Sequence, residues 1–329
     1  MELFDSLRFK IVKRGIRIIF PESTDNRILG AVARLKVEQL MEPILIGNVE
    51  EVCLAINNRG LQPSMFEIID PANYEYFEEM LNAFVTVRKG KITKDQARKL
   101  LFNDYNYFGT MLAYMGKAEG MVSGIIHSTG DTVRPALQII KTRPGVTRTS
   151  GAFLMVRGRD QEKYLFSDCA ININPSAQEL AEIAVESAYT AKLFDINPRV
   201  SLLSFSTKGS AKSPEVEKVV EATKIAKRLA PEDIIDGELQ FDASYVESVA
   251  HLKSPDSKVA GKATVFVFPD LQSGNIGYKI AQRLGNFEAI GPILQGLNKP
   301  ISDLSRGANE EDVYKLAIIT AVQTLLNKK

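Results

Sequence analysis

The sequence RIIFPESTDNRILGAVARLKVEQLMEPILI, which occupies residues 17–46, contains one strand–helix–strand repeat. Arg17–Phe20 is a short, mostly apolar run that predicts a buried strand, and Pro21–Asn26 predicts a loop. Arg27–Gln39 has the apolar spacing of a helix, and Pro43–Ile46 is a second run of strand length. Strands that alternate with helices in this way usually pair in parallel, which indicates an α/β fold.

The same alternation continues along the chain. Further predicted strands are Glu119–Ser123, Arg199–Phe205 and Ala263–Phe268, and each is followed by a loop rich in small and polar residues. A continuous apolar run such as Val265–Phe268 is typical of a strand that is buried on both faces of a sheet. We therefore predict mostly parallel sheets that carry helices on both faces.

One segment interrupts this alternation. Gly151–Arg157 and Glu162–Asn174 are two extended runs on either side of the turn-like Gly158–Gln161, which together predict a β-hairpin. The hairpin follows the Pro/Gly break at Arg143–Gly145, and a new series of strands and helices comes after it. We therefore place a domain boundary near residue 148.

The composition excludes several classes of protein. The chain has 329 residues, enough for one large or two ordinary domains, and 45% of them are hydrophobic. Its 41 Lys and Arg nearly balance its 40 Asp and Glu, which argues against a nucleic acid partner. Two cysteines, Cys53 and Cys169, with two histidines are too few for a disulfide framework or a structural zinc site. With no apolar run near the roughly 20 residues of a membrane span and no signal-peptide core, we expect a cytoplasmic protein.

Four loops after predicted strands carry hydroxyls, backbone amides or a cation where a phosphate oxygen could dock. They are Ser128–Asp131 with Arg134 behind it, Ser204–Ser210 with Lys208, Asp270–Gly277 with Tyr278 and Lys279, and Leu304–Gly307. None has the Walker A spacing or the six-residue glycine fingerprint of dinucleotide-binding folds. Together they predict a phosphorylated small molecule as the ligand.

The last predicted helix, Asn309–Leu326, has an apolar face formed by Val313, Leu316, Ala317, Thr320 and Ala321. The Leu304–Gly307 loop before this helix has two interpretations. Asn309 and Asp312 match the spacing of a capping box, in which Asp312 only stabilises a helix end. Alternatively, Ser305, Arg306 and Asp312 form one site with a hydroxyl, a guanidinium that binds phosphate through two hydrogen bonds, and a carboxylate base.

Two other side chains, His127 and Cys169, also have two possible roles each. His127, beside the Ser128 loop, is either a general base or a hydrogen-bonded structural residue. Cys169, in the second run of the predicted hairpin, is either a nucleophile or a buried thiol that only packs.

Five motifs follow one another along this chain: Arg17–Glu22, Ser128–Gln138, Ser204–Ser210, Phe268–Leu271 with Gly274–Lys279, and Asp303–Gly307. They resemble those of the phosphate acetyltransferase (phosphotransacetylase) family. They occur in order, so that the resemblance covers essentially the whole chain. The chain departs from the family at Ser23, Gly130 and Ala308, where the family often has Gly, Ala and Cys, respectively.

The resemblance implies an acyltransferase of acetate metabolism that transfers an acetyl group reversibly between acetyl phosphate and coenzyme A. Coenzyme A is then a substrate, and no tightly bound cofactor is expected. The resemblance also implies a homodimer and a two-domain fold like that of isocitrate and isopropylmalate dehydrogenases, with the active site in the cleft between the domains. Residues 1–148 plus 300–329 are expected to form domain I, because the C-terminal helix returns to it, and residues 149–299 domain II.

The resemblance also implies roles for individual residues. Asp312 is similar to the general base that takes the proton of the coenzyme A thiol. Arg306 resembles the residue that neutralises the phosphoryl group, and Ser305 the one that helps to hold the reacting carbonyl. Arg88 and Arg134 resemble the arginines that bind coenzyme A. The remaining residues expected to contact acetyl phosphate or phosphate are Ser128, Thr129, Lys208, Asn275, Tyr278 and Lys279.

Alternatives from other classes are a phosphate butyryltransferase, a non-catalytic acetyl-CoA-sensing module like that attached to some malic enzymes, and a dehydrogenase of related fold. The chain lacks the dinucleotide fingerprint and the aspartate cluster that the dehydrogenase would need. The sequence does not show the depth of the acyl pocket. We expect direct transfer in a ternary complex, without an acetylated enzyme.

Overall fold

The computed structural model describes residues 3–158 and 162–325. The chain divides into two compact units, one formed by Leu3–Arg143 with the residues from Leu297 onward, the other by Pro144–Gly296. The two domains expected from the sequence, with limits near residues 148 and 300, stay a prediction. None of the helices in the described ranges is both long and apolar enough to cross a membrane.

The first unit begins with alternating strands and helices. Its strands before residue 143 are β1 (Arg17–Phe20), β2 (Glu42–Ile46), β3 (Glu67–Ile69) and β4 (Gly120–Ser123). Its helices are α1 (Leu3–Ile11), α2 (Asn26–Val37), α3 (Val49–Asn58), α4 (Phe77–Val87), α5 (Lys94–Asn103), α6 (Tyr105–Tyr114) and α7 (Thr129–Pro135). Short 3-10 turns lie at Pro63–Met65 and Pro71–Asn73, and α7 continues into a π-helical turn at Ala136–Ile140.

The second unit follows, and the chain then returns to the first. The strands of the second unit are β5 (Ser150–Arg157), β6 (Glu162–Ser167), β7 (Arg199–Leu203), β8 (Ile234–Leu239), β9 (Val265–Val267) and β10 (Glu288–Gln295). Its helices are α8 (Ala177–Leu193), α9 (Pro214–Leu229), α10 (Phe241–Tyr245), α11 (Glu247–Lys253) and α12 (Leu271–Leu284). The last elements, β11 (Ile301–Asp303) and α13 (Glu310–Gln323), belong to the first unit.

The sheet of the first unit has five strands in the order β11-β4-β1-β2-β3, and all its pairs are parallel. The predicted α/β class is thereby confirmed. Strand β11 forms one edge, where Ile301 pairs with Met121 and Asp303 with Ser123. The carboxyl ends of β4 and β11 therefore lie side by side, and the loops that follow them start from the same edge of the sheet.

Helix α13 is buried over most of its surface. The predicted buried face is confirmed, since Val313, Leu316, Ala317, Thr320 and Ala321 are at most 3% exposed. The prediction of a single buried face was nevertheless too narrow, because Ile318, Ile319 and Val322 are also fully buried. The reason is that α13 packs against α1 and α2 as well as against the strands. The predicted start at Asn309 is the N-cap, and the predicted end at Leu326 lies outside the described residues.

The sheet of the second unit is mixed, with six strands in the order β10-β5-β6-β9-β7-β8. The predicted hairpin is confirmed, because β5 and β6 pair antiparallel with Phe153 opposite Phe166; most of its turn, residues 159–161, lies outside the described residues. The second strand ends at Ser167 rather than at Asn174. It ends there because the Asp168 carboxylate accepts the backbone N–H groups of the next loop, including that of Asn172 at 2.9 Å.

One face of this second sheet packs into an aromatic core. Every second residue contributes a side chain to it, among them Phe153 and Met155 in β5, Phe166 in β6 and Phe266 in β9. Helix α12 lies so close to the loop after β6 that a Cβ at Gly274 would come within 2.2 Å of the Asp168 carbonyl oxygen. Because Gly274 has no side chain, α12 can pack this close to the loop after β6.

Candidate active site

The loop between β11 and α13 exposes Ser305 and Arg306. The Gly307 amide donates to Ser305 Oγ at 3.3 Å, and the Ala308 amide donates to the Ser305 carbonyl at 2.9 Å, so the loop forms a tight turn. Within residues 3–158 and 162–325, no side chain or carbonyl forms an ion pair or hydrogen bond with the Arg306 guanidinium. An exposed guanidinium of this kind can bind a phosphate through two parallel hydrogen bonds.

Asp312 forms the capping box that its spacing predicts. Its amide donates to Asn309 Oδ1 at 3.0 Å, and its Oδ2 accepts the Asn309 amide at 2.9 Å. The residue is exposed, and Oδ1 has no hydrogen-bond partner in the described chain. The structural interpretation of Asp312 is therefore correct as far as it goes, but one carboxylate oxygen stays available to a ligand.

Arg27 joins the loop after β11 to two other segments, although its sequence predicted only a place in a helix. It forms a two-point ion pair with Asp25, and hydrogen bonds from Arg27 lower the pKa of that carboxyl. Its Nη1 donates to the carbonyls of Arg306 at 3.1 Å and Ala308 at 2.9 Å, and its Nη2 to that of Ile125 at 3.4 Å. One guanidinium thus ties the loops after β4 and β11 together.

The loop after β4 is wrapped around the buried carboxylate of Glu22. Four successive amides, from Gly124 to His127, donate to its two oxygens at 2.8 to 3.2 Å. His127 Nδ1 lies 2.7 Å from Oε1 of the same group. The role of Glu22 could not be predicted from the sequence, because its partners are more than a hundred residues away.

Ser128 serves as a helix cap in the structure. Its hydroxyl donates to Asp131 Oδ2 at 2.6 Å and accepts the Asp131 amide at 3.3 Å. The hydrogen bond from Ser128 lowers the pKa of Asp131. Ser128 could bind phosphate only by giving up the bond to Asp131, whereas Thr129 is exposed on the first turn of α7.

Asp303 lies at the end of β11, only 2% exposed. Burial raises its pKa to about 6, and the negative charge of Glu22 acts in the same direction. Its Oδ1 has no hydrogen-bond partner in the part of the chain that the structure describes. The same atom would lie 2.5 Å from a Cβ at residue 124, where Gly124 adopts φ +115°, so this position accepts only glycine.

The two arginines expected to bind coenzyme A lie near one tyrosine. Arg134 is exposed on α7, 3.7 Å from Asp131, and Arg88 is the C-cap of α4. Burial raises the pKa of Tyr107, and the positive charges of Arg134 and Arg88 both oppose that rise. The Tyr107 hydroxyl donates to Gln138 Oε1 at 2.9 Å. The structure therefore brings together two arginines that are far apart in the sequence.

Lys208, which was expected to bind phosphate, pairs with a buried carboxylate. Its Nζ donates to Asp236 Oδ1 at 2.7 Å and to the Gly237 carbonyl at 2.8 Å. Burial opposes the ionisation of Asp236, but hydrogen bonds from Lys208, Ser257 and Lys227 outweigh it and lower the pKa to about 2. Lys208 would have to leave this ion pair in order to bind a phosphate.

Most amides of the Ser204–Ser210 loop already donate to acceptors within the chain, which leaves few of them for an anion. Gly209 N donates to the buried carboxylate of Glu238 at 2.6 Å, and Thr207 N donates to Ser210 Oγ at 3.0 Å. Ala211 N donates to Ser206 Oγ at 3.1 Å. The loop is polar because it encloses Glu238, and its composition alone could not distinguish this from a phosphate site.

Three expected ligands lie on α12. Asn275 Nδ2 donates to the Cys169 carbonyl at 3.2 Å, and the Tyr278 ring stacks on Phe153 with ring centroids 4.0 Å apart. Lys279 is exposed. The contacts of Asn275 and Tyr278 thus stabilise the packing of α12, and Lys279 is the member of this group whose charge is accessible.

Cys169 is a packed thiol rather than a nucleophile. It is fully buried, and burial raises the pKa of its thiol well above the ordinary value. Both cysteines of the chain are free. Within residues 3–158 and 162–325, no cluster of three or more His, Cys, Asp or Glu side chains is arranged to hold a metal ion.

Comparison with known proteins identifies the family. A sequence profile described as phosphate acetyl/butaryl transferase matches residues 3–321. The chain belongs to this family. It is 60% identical over 324 residues to the phosphate acetyltransferase of Bacillus subtilis (strain 168), covering 98% of this chain and 99% of that protein. It is 56% identical over 329 residues to the phosphate acetyltransferase of Staphylococcus epidermidis, with the same coverage.

Solved structures agree with this assignment. The crystal structure of a phosphotransacetylase from Streptococcus pyogenes is 62% identical and matches with a TM-score of 0.96, covering 98% of each chain. The family resemblance predicted from the five motifs is therefore confirmed. At Ser23, one of the positions where the sequence was expected to depart from the family, the buried hydroxyl donates to the Phe20 carbonyl and accepts the Ile46 amide, both at 2.7 Å.

Proposed function

We propose that the chain is a phosphate acetyltransferase, which converts acetyl phosphate and coenzyme A into acetyl-CoA and phosphate and also catalyses the reverse reaction. The 60% identity along nearly the whole length of a phosphate acetyltransferase carries this proposal. The exposed Arg306 guanidinium, beside Ser305 on the loop after β11, supplies chemistry that suits an acyl phosphate.

In the proposed mechanism, three groups act on the two substrates in a ternary complex. Arg306 binds the phosphoryl group, and the Ser305 hydroxyl donates a hydrogen bond to the acetyl carbonyl. Asp312 accepts the proton of the coenzyme A thiol through its unpartnered Oδ1. The thiolate then attacks the carbonyl carbon, a C–S bond forms, and the C–O bond to phosphate breaks. No acetylated enzyme forms, in keeping with the burial of Cys169.

The difficult step is the formation of the thiolate. A reference thiol has a pKa of about 8.5 and a reference aspartic acid about 3.9, so proton transfer is uphill by roughly 6 kcal/mol. The N-terminus of α13 adds to this cost, because the positive end of a helix favours the ionised carboxylate at Asp312. The positive charge of Arg306 must therefore stabilise the negative charge that develops on the reacting groups.

Coenzyme A carries several phosphates, and the pair Arg88 and Arg134 beside Tyr107 suits such a ligand. Coenzyme A is thus a substrate rather than a resident cofactor. The roles of Ser128, Lys208, Asn275 and the other loop residues in binding acetyl phosphate stay predictions. The homodimer, the cytoplasmic location and the dehydrogenase-like two-domain fold are further predictions from the family resemblance.

The proposed function is tested by following thioester absorbance when coenzyme A is mixed with acetyl phosphate or with butyryl phosphate. We expect rapid thioester formation with acetyl phosphate and a much lower kcat/KM with butyryl phosphate. A preference for butyryl phosphate would assign the chain to the butyryltransferases. Binding of coenzyme A by calorimetry without any thioester would indicate a sensing module.

A further inference from the structure

His127 and Glu22 form a carboxylate–imidazole pair that the proposed mechanism does not use. The Glu22 side chain is 0% exposed, whereas that of His127 is 36% exposed. Glu22 Oε1 lies 2.7 Å from His127 Nδ1 and also accepts the His127 amide. Because Nδ1 faces this acceptor, it carries a proton, and Nε2 on the opposite side of the ring has no partner in the described chain.

Several charged side chains surround this pair. Glu22 supplies a negative charge in direct contact with the ring, and Asp131 adds a second one, since the charge of His127 lowers the pKa of that carboxyl. Asp303 lies close enough to Glu22 for the two charges to interact. Two cations face these carboxylates: Arg27, whose pKa the charge of Glu22 helps to raise, and Arg134, which lies 3.7 Å from Asp131. The immediate surroundings of the imidazole are therefore rich in carboxylates of the chain itself.

The pair belongs to the same edge of the sheet as Ser305 and Arg306. Strands β4 and β11 are neighbours, and Arg27 donates to carbonyls in the loops after both of them. The loops also approach each other directly, because a Cβ at Gly124 would lie 2.6 Å from the Leu304 carbonyl. The half-exposed imidazole and the free guanidinium therefore lie on adjoining loops.

The proposed reaction has a need that Ser305, Arg306 and Asp312 leave unmet. When the thiolate attacks the dianion of acetyl phosphate, the electron pair of the breaking C–O bond moves to the bridging oxygen. Without a proton, phosphate would depart as the strongly basic trianion. A weak acid beside the bridging oxygen removes this barrier, and an imidazolium is the side chain suited to that role near neutral pH.

We propose that His127, held by Glu22, donates its Nε2 proton to the bridging oxygen as the C–O bond breaks. Phosphate then leaves as HPO₄²⁻ and the imidazole becomes neutral; in the reverse reaction, neutral His127 takes the proton of the attacking HPO₄²⁻. Asp312 then releases the thiol proton to solvent and His127 takes one up from solvent, so the proton balance closes. This inference rests on the proposed acetyltransferase function.

The direct test is His127→Asn, because the asparagine amide can still donate to Glu22 but has no counterpart of Nε2. We expect kcat to fall about 10²- to 10³-fold with little change in either KM. We also expect the variant to lose the part of the kcat–pH profile in which wild-type activity falls as rising pH deprotonates the acid. The matched control is His251→Asn, which replaces the other histidine of the chain, on α11. This variant should leave kcat and the kcat–pH profile unchanged.

Two results would overturn the inference. One is a wild-type kcat in His127→Asn, and the other is a reduced kcat that keeps the wild-type pH profile, which would reduce His127 to a loop anchor. If His127→Asn does not fold, diethyl pyrocarbonate on His251→Asn tests the same point, because His127 is then the sole histidine. Activity that survives its complete modification would also reject the role. Absence of any thioester with the wild type would instead reject the proposed function itself.

Discussion

At the scale of single residues, Asp312 shows how one carboxylate can have a structural and a chemical role. Oδ2 accepts the Asn309 amide, and Oδ1 is left without a partner. Asp312→Asn should keep an acceptor for that amide, so the cap survives, but it removes the basic group. We expect kcat for thioester formation to fall about 10²- to 10⁴-fold while the affinities for both substrates change little. The measurement is steady-state kinetics together with urea unfolding.

The complementary control is Asn309→Ala, which removes the acceptor for the Asp312 amide and retains the carboxylate. It should lower the free energy of unfolding by about 1 kcal/mol and leave kcat within a few-fold of wild type. If Asp312→Asn were as active as wild type, Asp312 would be a helix cap and nothing more.

For Arg306, the hydrogen-bonding geometry of the guanidinium should matter more than its positive charge alone. Its guanidinium forms no ion pair in residues 3–158 and 162–325, so replacement by lysine breaks no protein contact there. Arg306→Lys should nevertheless reduce kcat/KM for acetyl phosphate by about 10-fold or more, because a lysine ammonium cannot form two parallel hydrogen bonds to one phosphoryl group. Initial rates at varied acetyl phosphate test this, with Arg283→Lys on α12 as a control expected to have no effect. An unchanged kcat/KM would exclude Arg306 from phosphoryl binding.

The sequence was informative about Ser305, Arg306 and Asp312 because they lie within eight residues of one another and form a recognisable motif. Glu22 and Arg27 could not be found in that way. Glu22 contacts residues more than a hundred positions away, and Arg27 contacts Arg306 and Ala308, which are 279 and 281 positions away. A single sequence contains no sign of pairs this distant until folding has brought them together.

At the scale of elements, three polar loops enclose carboxylates of the chain itself. Glu22 accepts the amides after β4, Asp168 accepts those after β6, and Glu238 accepts an amide of the Ser204–Ser210 loop. Loops rich in Gly, Ser and Thr attract anions because they offer unpaired amides. Composition predicts that tendency, but it does not tell whether the anion is a ligand or a side chain, so the role of the Ser204–Ser210 loop in binding phosphate stays a prediction.

Gly274 and Gly130 both lie near the start of a helix, and their surroundings predict opposite effects of alanine on stability. A Cβ at Gly274 would lie 2.2 Å from the Asp168 carbonyl oxygen, whereas a Cβ at Gly130 would meet only ordinary contacts, the nearest being Arg134 Nη2 at 3.5 Å. Gly274→Ala should lower the free energy of unfolding by about 1–3 kcal/mol, because α12 must move away from the loop after β6. Gly130→Ala should be neutral or stabilising by less than about 1 kcal/mol. Urea unfolding of both variants measures this difference, and equal destabilisation would show that the close approach at Gly274 is relieved at no cost.

At the scale of the whole molecule, the free energy of unfolding should vary with pH because Asp303 titrates differently in the folded and unfolded states. Its pKa in the folded protein is about 6 against an ordinary value of 3.8, so the native state binds the extra proton between these pH values. The stability associated with the protonated form is present below pH 4 and is lost as the pH rises through about 6. Asp236, with a pKa of about 2, loses its contribution only at more acidic pH.

Asp303→Asn removes this titration. Relative to wild type, the variant should therefore gain about 3 kcal/mol in the free energy of unfolding between pH 4 and pH 7.5, since about two pKa units separate the folded and unfolded states. Urea unfolding of both proteins at several pH values measures the difference. A difference that does not vary with pH would mean that Asp303 ionises as freely as an exposed carboxyl.

The regular alternation of strands and helices made the overall class of the fold predictable, and the β5–β6 hairpin followed from its two extended runs. Strand β10 was not predicted. It contains Gly291 and Pro292, which interrupt a strand pattern, and it pairs with β5, which lies more than a hundred residues earlier in the chain. Its place at the edge of the sheet depends on a tertiary partner, and local patterns carry no information about such a partner.

The position of β11 has a consequence for the order in which the chain can fold during synthesis. The first unit takes one edge strand, β11, and the buried helix α13 from residues that follow the whole second unit, while its other strands end more than 170 residues earlier. Until β11 has been synthesised, β4 has an open side and Arg27 lacks two of its acceptors. A nascent chain can thus complete its second unit first, and the proposed catalytic loop forms only after that unit has been synthesised.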